Sequence, residues 1–140
     1  MRNMFRYTFK HTGTGNIEKK VYTLKQLEER EVEKLSPCFN ANHGYQLIGR
    51  DGFTGFLDKD GKEIYENDSD GFYIVKMGQF PVREHETGGI IDNAVGWYLD
   101  PIDKSVEPFN WEIPLNNFWL NRLDDGFNKN IYDNPELLGN

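Results

Sequence analysis

From Tyr45 to Tyr132 the chain is cut into short apolar runs by acidic and glycine-bearing turn signals, and this spacing limits the fold more than any other feature. The runs cover residues 45–48, 52–57, 72–77, 80–85, 90–91, 94–99, 115–123 and 130–132. Between them stand Asp51-Gly52, Asp58-Lys-Asp-Gly61, Asp70-Gly71, Thr87-Gly-Gly89, Asp100-Pro101 and Asp125-Gly126. Glycine enters the left-handed backbone region without cost, Asp bonds its own backbone, and proline leaves a ladder one donor short. Each separator therefore reads as a strand end. Many short strands at close spacing predict a small, strongly bent β-barrel or sandwich.

The first part of the chain has a different rhythm. Phe5, Tyr7 and Phe9 alternate with Arg6, Thr8 and Lys10, the period of a half-buried strand. His11-Thr-Gly-Thr-Gly-Asn16 supplies a turn and residues 17–22 return to strand composition, so a β-hairpin is expected. Thr23 reads as a helix N-cap, with Gln26 completing a capping box. Leu24, Leu27, Val32 and Leu35 form an apolar stripe, interrupted by Glu31, while Glu28, Glu29, Arg30, Glu33 and Lys34 face water. The like-charge pairs Glu29–Glu33 and Arg30–Lys34 weaken this helix and Lys25–Glu29 supports it, so it must rely on packing until Ser36-Pro37 stops it. The loop at 38–44 is the expected boundary. The reading is an N-terminal ββα subdomain over residues 1–37 and a β-barrel domain over 45–140.

Composition narrows the classes of function. Ten Phe, seven Tyr and three Trp supply a core although only 37% of residues are hydrophobic. Net charge is −7, which opposes a phosphate backbone, and the dense basic spots are Lys19-Lys20 and the stretch from Arg2 to Lys10. The single Cys38 forms no internal disulfide. The start of the chain lacks the apolar core of a signal peptide and no run approaches the length of a membrane span, so the cytoplasm is the expected compartment and no membrane partner is expected.

Several residues invite chemistry. Asp58-Lys-Asp-Gly-Lys-Glu63 gathers carboxylates, but Asp60-Gly61 is also a hairpin turn dipeptide, and the turn is the preferred reading. Glu66, Asp68, Asp70 and Gly71 match the first positions of a calcium loop, yet Met77 stands where its bidentate Glu belongs and strand-like sequence follows. His11, His43 and His85 are scattered, and Cys38 with His43 or His85 lacks the flanking signature of a nucleophilic pair. Gly13-Thr-Gly15 and Gly88-Gly89 do not sit between a strand and a helix start, as phosphate loops do. Trp97, Tyr98, Phe109, Trp111, Phe118 and Trp119 could stack bases, but between residues 87 and 121 only Lys104 is basic, which favours a core or a subunit interface. No catalytic, cofactor-binding or metal-binding residue is assigned, and no cofactor is expected.

The stretch Phe53-Thr-Gly-Phe-Leu-Asp-Lys-Asp-Gly-Lys-Glu-Ile-Tyr-Glu-Asn-Asp68 resembles the signature of the YopX family of phage and prophage proteins, roughly Thr-Gly-Leu-Lys-Asp-Lys-Asn-Gly-Lys-Glu-Ile-Tyr-Glu-Gly-Asp. The likeness runs from about Tyr45 to Asp68 and returns at Asn130-Ile-Tyr-Asp-Asn-Pro-Glu-Leu-Leu138, similar to the family's closing Gly-Asn-Ile-Tyr-Glu-Asn-Pro-Glu-Leu-Leu. Relatives continue Gly-Asp-Ile-Val where this chain has Asn67-Asp68-Ser69-Asp70, so its next strand is expected to start later, at Phe72. The resemblance implies an α+β fold, an N-terminal β-hairpin plus helix followed by a small SH3-like β-barrel, with a tendency to self-associate. It carries no catalytic residues. Within it, Thr54 and Phe56 should pair across the Asp-Gly turn with Ile64 and its neighbours, and Asp68 should satisfy backbone donors at a corner. Residues 135–138 could cap the barrel mouth or a neighbouring subunit.

The expectation is thus an acidic, non-enzymatic phage or prophage accessory protein of the host cytoplasm, a homo-oligomer that also binds a host or phage protein. Two other classes stay open: a nucleic-acid-associated module using the face from Arg2 to Lys20, and a small hydrolase using Asp58, Asp68 or Asp70.

Overall fold

The computed structural model describes residues 3–30, 34–108 and 110–139. Strand β1 (Met4–His11) lies between β2 (Ile17–Thr23) and β3 (Tyr45–Leu57), antiparallel to both. The expected hairpin is present, paired from Met4 opposite Thr23 to Lys10 opposite Ile17. Its turn closes by the His11 N–H donating to the Asn16 carbonyl at 2.8 Å, with Gly15 at φ 78°.

Helix α1 (Leu24–Glu29) begins as expected: the Gln26 N–H donates to Thr23 Oγ1 at 3.1 Å and the Thr23 N–H to Gln26 Oε1 at 2.9 Å. It ends sooner than the apolar stripe suggested. Arg30 is already extended (φ −92°, ψ 140°), so the helix does not run on unbroken to Leu35. The reason is energetic: none of its side chains is fully buried, and so short a helix has little besides packing to hold it. Glu31, Val32 and Glu33 lie outside the described residues.

The odd-numbered face of β1 builds an aromatic cluster in which Tyr7, Phe9, Tyr22 and Cys38 are buried. Phe39 meets Tyr7 and Phe9 edge-on, with ring centres 5.2 and 4.9 Å away. The Ser36 N–H donates to the Tyr22 hydroxyl at 2.6 Å and fastens the following loop to the same cluster. The even-numbered face holds Arg6 and Thr8, both buried.

The chain divides into two compact units, Met1–Gly55 and Phe56–Asn140. The boundary expected in the loop at 38–44 falls later because β3 continues the sheet of the first unit, from Tyr45 opposite His11 to Gly52 opposite Phe5. Asp51-Gly52 is therefore no turn but mid-strand, and Asp51 pairs with Arg6 across the ladder.

In the second unit, β4 (Glu63–Tyr65) neighbours β3, as expected for the two arms of the signature turn. A separate antiparallel sheet has the order β8-β7-β6-β5-β9, from β5 (Asp68–Ser69), β6 (Tyr73–Arg83), β7 (Ile90–Pro101), β8 (Ile113–Pro114) and β9 (Lys129–Asn130). Ile64, Tyr73, Val75, Leu99, Ile113, Leu115, Leu120 and Phe127 form its apolar core. Runs 72–77 and 80–85 fuse into one strand, as do 90–91 and 94–99, because Gly78-Gln79 pairs with Val95-Gly96 rather than turning. Asp100-Pro101 stays inside β7, where Asp100 meets Lys76 at 2.7 Å. The expected strand at 115–123 is instead a short helix, α2 (Asn117–Leu120), started by Asn116 accepting the Trp119 N–H at 2.9 Å. The protein is thus β-rich, with two antiparallel sheets and little helix.

Candidate functional site

The signature turn gathers several polar side chains, and their chemistry is directed at the backbone. Asp58 is buried. Its Oδ1 accepts the N–H groups of Asp60 and Lys62, both at 2.9 Å, and its Oδ2 accepts the Phe127 N–H at 2.9 Å. The Asp58 N–H donates to the Lys62 carbonyl at 2.8 Å, and Gly61 takes φ 80°, so this is a hairpin turn. The turn also clasps a distant loop: Lys62 Nζ donates to the Phe127 carbonyl at 3.0 Å and Lys59 Nζ to the Asp124 carbonyl. Gly126 fits under it because a Cβ there would stand 2.6 Å from Asp60 Oδ2 and 3.0 Å from Asp58 Oδ2. Burial pushes the Asp58 carboxyl up, but the Phe127, Lys62 and Asp60 amides and the Lys62 ammonium outweigh it and hold the pKa below 3.8.

The loop that resembled a calcium site is likewise committed to amides. Asp68 Oδ2 accepts the Tyr65 N–H at 2.9 Å, the corner role expected of it. Asp70 Oδ1 accepts the Phe72 and Tyr73 N–H groups at 3.0 and 2.9 Å, and Ser69 Oγ accepts that of Gly71. Among the described residues no three His, Cys, Asp or Glu side chains gather as a metal site. Burial pushes the Asp70 carboxyl above 3.8 despite its amide bonds, and the charge of Asp125 adds to the rise. Burial, then Asp70, pushes the neighbouring Tyr73 hydroxyl up to about 12.

Asp58 and Asp70 therefore act on stability with opposite signs. Asp58 titrates lower folded than unfolded, so its contribution is full above the unfolded value and is lost as pH falls through the folded one. Asp70 titrates higher folded, so its ionisation lowers stability as pH rises through the interval between the two values. An amide oxygen can accept the same two N–H groups without the buried charge. Asp70→Asn should be at least as stable as the parent in urea unfolding at pH 7, with any advantage vanishing in acid. A clear loss of stability at pH 7 would show that the charge itself holds the corner.

The two stretches that carry the family resemblance meet here. Asp68 pairs with Asn130 and Ser69 with Lys129, and the Ile131 N–H donates to the Asn67 carbonyl at 3.2 Å. Asn130 Oδ1 accepts the Tyr132 and Asp133 N–H groups and turns the chain into the short 3-10 helix Pro135–Leu138.

The remaining candidates have local roles. His11 Nδ1 accepts the Gly13 and Thr14 N–H groups, both at 3.1 Å, within the hairpin turn. Cys38 packs into the first unit's aromatic cluster, His43 ends a 3-10 turn, and His85 lies 6.2 Å from the Trp119 ring. Gly88 closes the β6–β7 turn, where a Cβ would stand 2.5 Å from the Trp111 ring. Arg83 lies over that ring at 5.7 Å and donates to the Gly88 carbonyl at 2.8 Å. Of the basic face from Arg2 to Lys20, Arg6 is buried opposite Asp51 at 3.5 Å, and Arg2 is outside the described residues. Trp97 and Trp119 pack against the core of the second unit, while Phe118 is exposed with Arg122 stacked on it at 3.5 Å. Phe109 is outside the described residues.

What the sequence missed is the exposed ribbon of β6 and β7. Met77, Ile90, Ile91 and Val95, in runs read only as strands, stand in water. Among the described residues no helix is long and apolar enough to cross a membrane. Compared with family models, curated proteins and solved structures, the chain finds no match in any of them.

Proposed function

We propose that this is a non-enzymatic accessory protein of the YopX-like phage and prophage type, working in the host cytoplasm by self-assembly and by binding another protein. The observation that carries the proposal is the exposed apolar ribbon, with Met77 48%, Ile90 58%, Ile91 67% and Val95 80% accessible. Large apolar side chains left in water along one ribbon point to a surface that another chain covers. The non-enzymatic part is supported by the carboxylates: Asp58, Asp68 and Asp70 each accept backbone N–H groups and act as turn scaffolding. The YopX-like part is supported by the pairing of Asp68-Ser69 with Lys129-Asn130, which joins the two resembling stretches as one structural unit. With it goes the α+β reading of an SH3-like barrel in the second unit, supported by short and long strands packed on one apolar core.

Multi-angle light scattering over a concentration series tests the proposal. Assembly above the 16.4 kDa chain mass is expected. A monomer at every concentration would remove self-assembly from it.

A further inference from the structure

The ribbon has two unlike faces. Register places Met77 opposite Trp97, Gln79 opposite Val95, and Pro81 opposite Asn93, so these six residues share one face. On the other face Gly78 pairs with Gly96, and the rings of Phe80 and Tyr98 stack across the gap they leave, 5.1 Å apart and inclined by 21°. Phe80 is only 5% exposed, so this face covers its glycines with its own aromatic side chains. On the Met77–Val95 face Trp97 packs against the core of the second unit, while Met77, Gln79, Asn93 and Val95 stay exposed.

The flanking strands stop short of it. Among the described residues β8 pairs with Tyr98 and Leu99, and β5 with Ile74. The stretch from Met77 to Arg83 and from Ile90 to Trp97 is thus a two-stranded ribbon, a form that is marginal in water without a second layer. Edge pairing is not the natural remedy. Asp92 Oδ1 accepts the Asn93 N–H at 2.8 Å, placing a carboxylate on a backbone donor of the ribbon.

Charge selects the partner. The chain carries −7, so two copies repel wherever charged surfaces meet. None of Met77, Gln79, Pro81, Asn93 and Val95 is ionisable, and Arg83, the next residue of this alternation, is engaged by the Gly88 carbonyl and Glu112, so this face can meet its own copy without bringing like charges together. The same neutrality gives a basic partner nothing to recognise. A symmetric contact needs a patch that complements itself, and an uncharged ribbon face can do so by stacking on its copy as two layers about 10 Å apart.

We propose that two copies of this chain pack face to face through Met77, Gln79, Pro81, Asn93 and Val95, around a two-fold axis beside Val95. The inference rests on the self-assembly reading and adds its location. Val95 is the most exposed of these anchors, so a carboxylate there enters the contact while leaving the monomer fold intact.

Light scattering of the full chain is compared with Val95→Asp and with Leu57→Asp, a control at another exposed apolar residue, 51% accessible. Circular dichroism and melting of each variant verify folding. Val95→Asp should weaken association by about 100-fold or more, while Leu57→Asp leaves it unchanged. Val95→Cys should give a disulfide-linked dimer under mild oxidation that the parent, with its buried Cys38, does not form. Assembly that survives Val95→Asp, with no cross-link through Val95→Cys, overturns this surface and leaves self-assembly standing. A parent chain that is monomeric throughout overturns both.

Discussion

Asp58→Ala should destabilise the protein by about 3–5 kcal/mol in urea unfolding, because one side chain satisfies three amides. Two of them, Asp60 and Lys62, shape the turn. The third, Phe127, is itself buried, and Asp58 is the side chain that accepts its N–H. A bond to a charged acceptor contributes about 1.5–3 kcal/mol, and a buried donor left without water costs a similar amount. Asp58→Asn separates the two duties. Its remaining oxygen can serve the Asp60 and Lys62 amides, but its NH2 group then faces the Phe127 N–H, so a smaller loss of about 1–2 kcal/mol is expected. Asp60→Ala, at an exposed side chain, should be nearly neutral. Equal losses for Asp58→Ala and Asp60→Ala would contradict the clasp.

Asp51→Ala should be about as damaging, at about 3–5 kcal/mol, for a different reason. Asp51 and Arg6 are both buried and stand 3.5 Å apart across neighbouring strands. Removing one charge takes from the other its ion-pair partner at 3.5 Å in a poorly solvated place, and that loss exceeds what the pair contributes by being formed. The double variant Arg6→Met with Asp51→Leu should therefore lose far less than the two single losses added together. Additive losses would mean that the two charges act independently. The same burial weakens the nucleic-acid alternative, since Arg6 has its charge matched within the fold.

Local chemistry was legible in the sequence, and non-local partnership was not. The Thr23–Gln26 capping box, the turn that closes the hairpin at 11–16, the Asp58–Gly61 turn and the Asp70-Gly71 corner all depend on residues within a few positions of each other. Their backbone bonds can be read directly from residue types. Asp51-Gly52 misled because an acid–glycine pair also fits mid-strand when an arginine lies opposite. The 115–123 run misled because its apolar content masked Asn116, a good helix N-cap. The exposure of the β6–β7 ribbon could not be foreseen, since alternation shows which residues share a face but not whether anything covers it. A signal was present in Gly78 and Gly96, which pack no side chain of their own and invite aromatic neighbours. The clasp on residues 124–127 was equally hidden: Asp58 and Phe127 meet only once the chain is folded.

On the proposed function the turn acids serve as scaffold, on the ground that they accept backbone amides, and site-resolved carbon-13 NMR titration of Asp58 and Asp70 tests this at each carboxyl. Asp58 should titrate below 3.8, held ionised by its amides, and Asp70 above 3.8, raised by burial. Both carboxyls titrating well above 3.8, in mutually dependent steps of the kind shown by a coupled acid pair, would contradict the scaffold and point to a shared site.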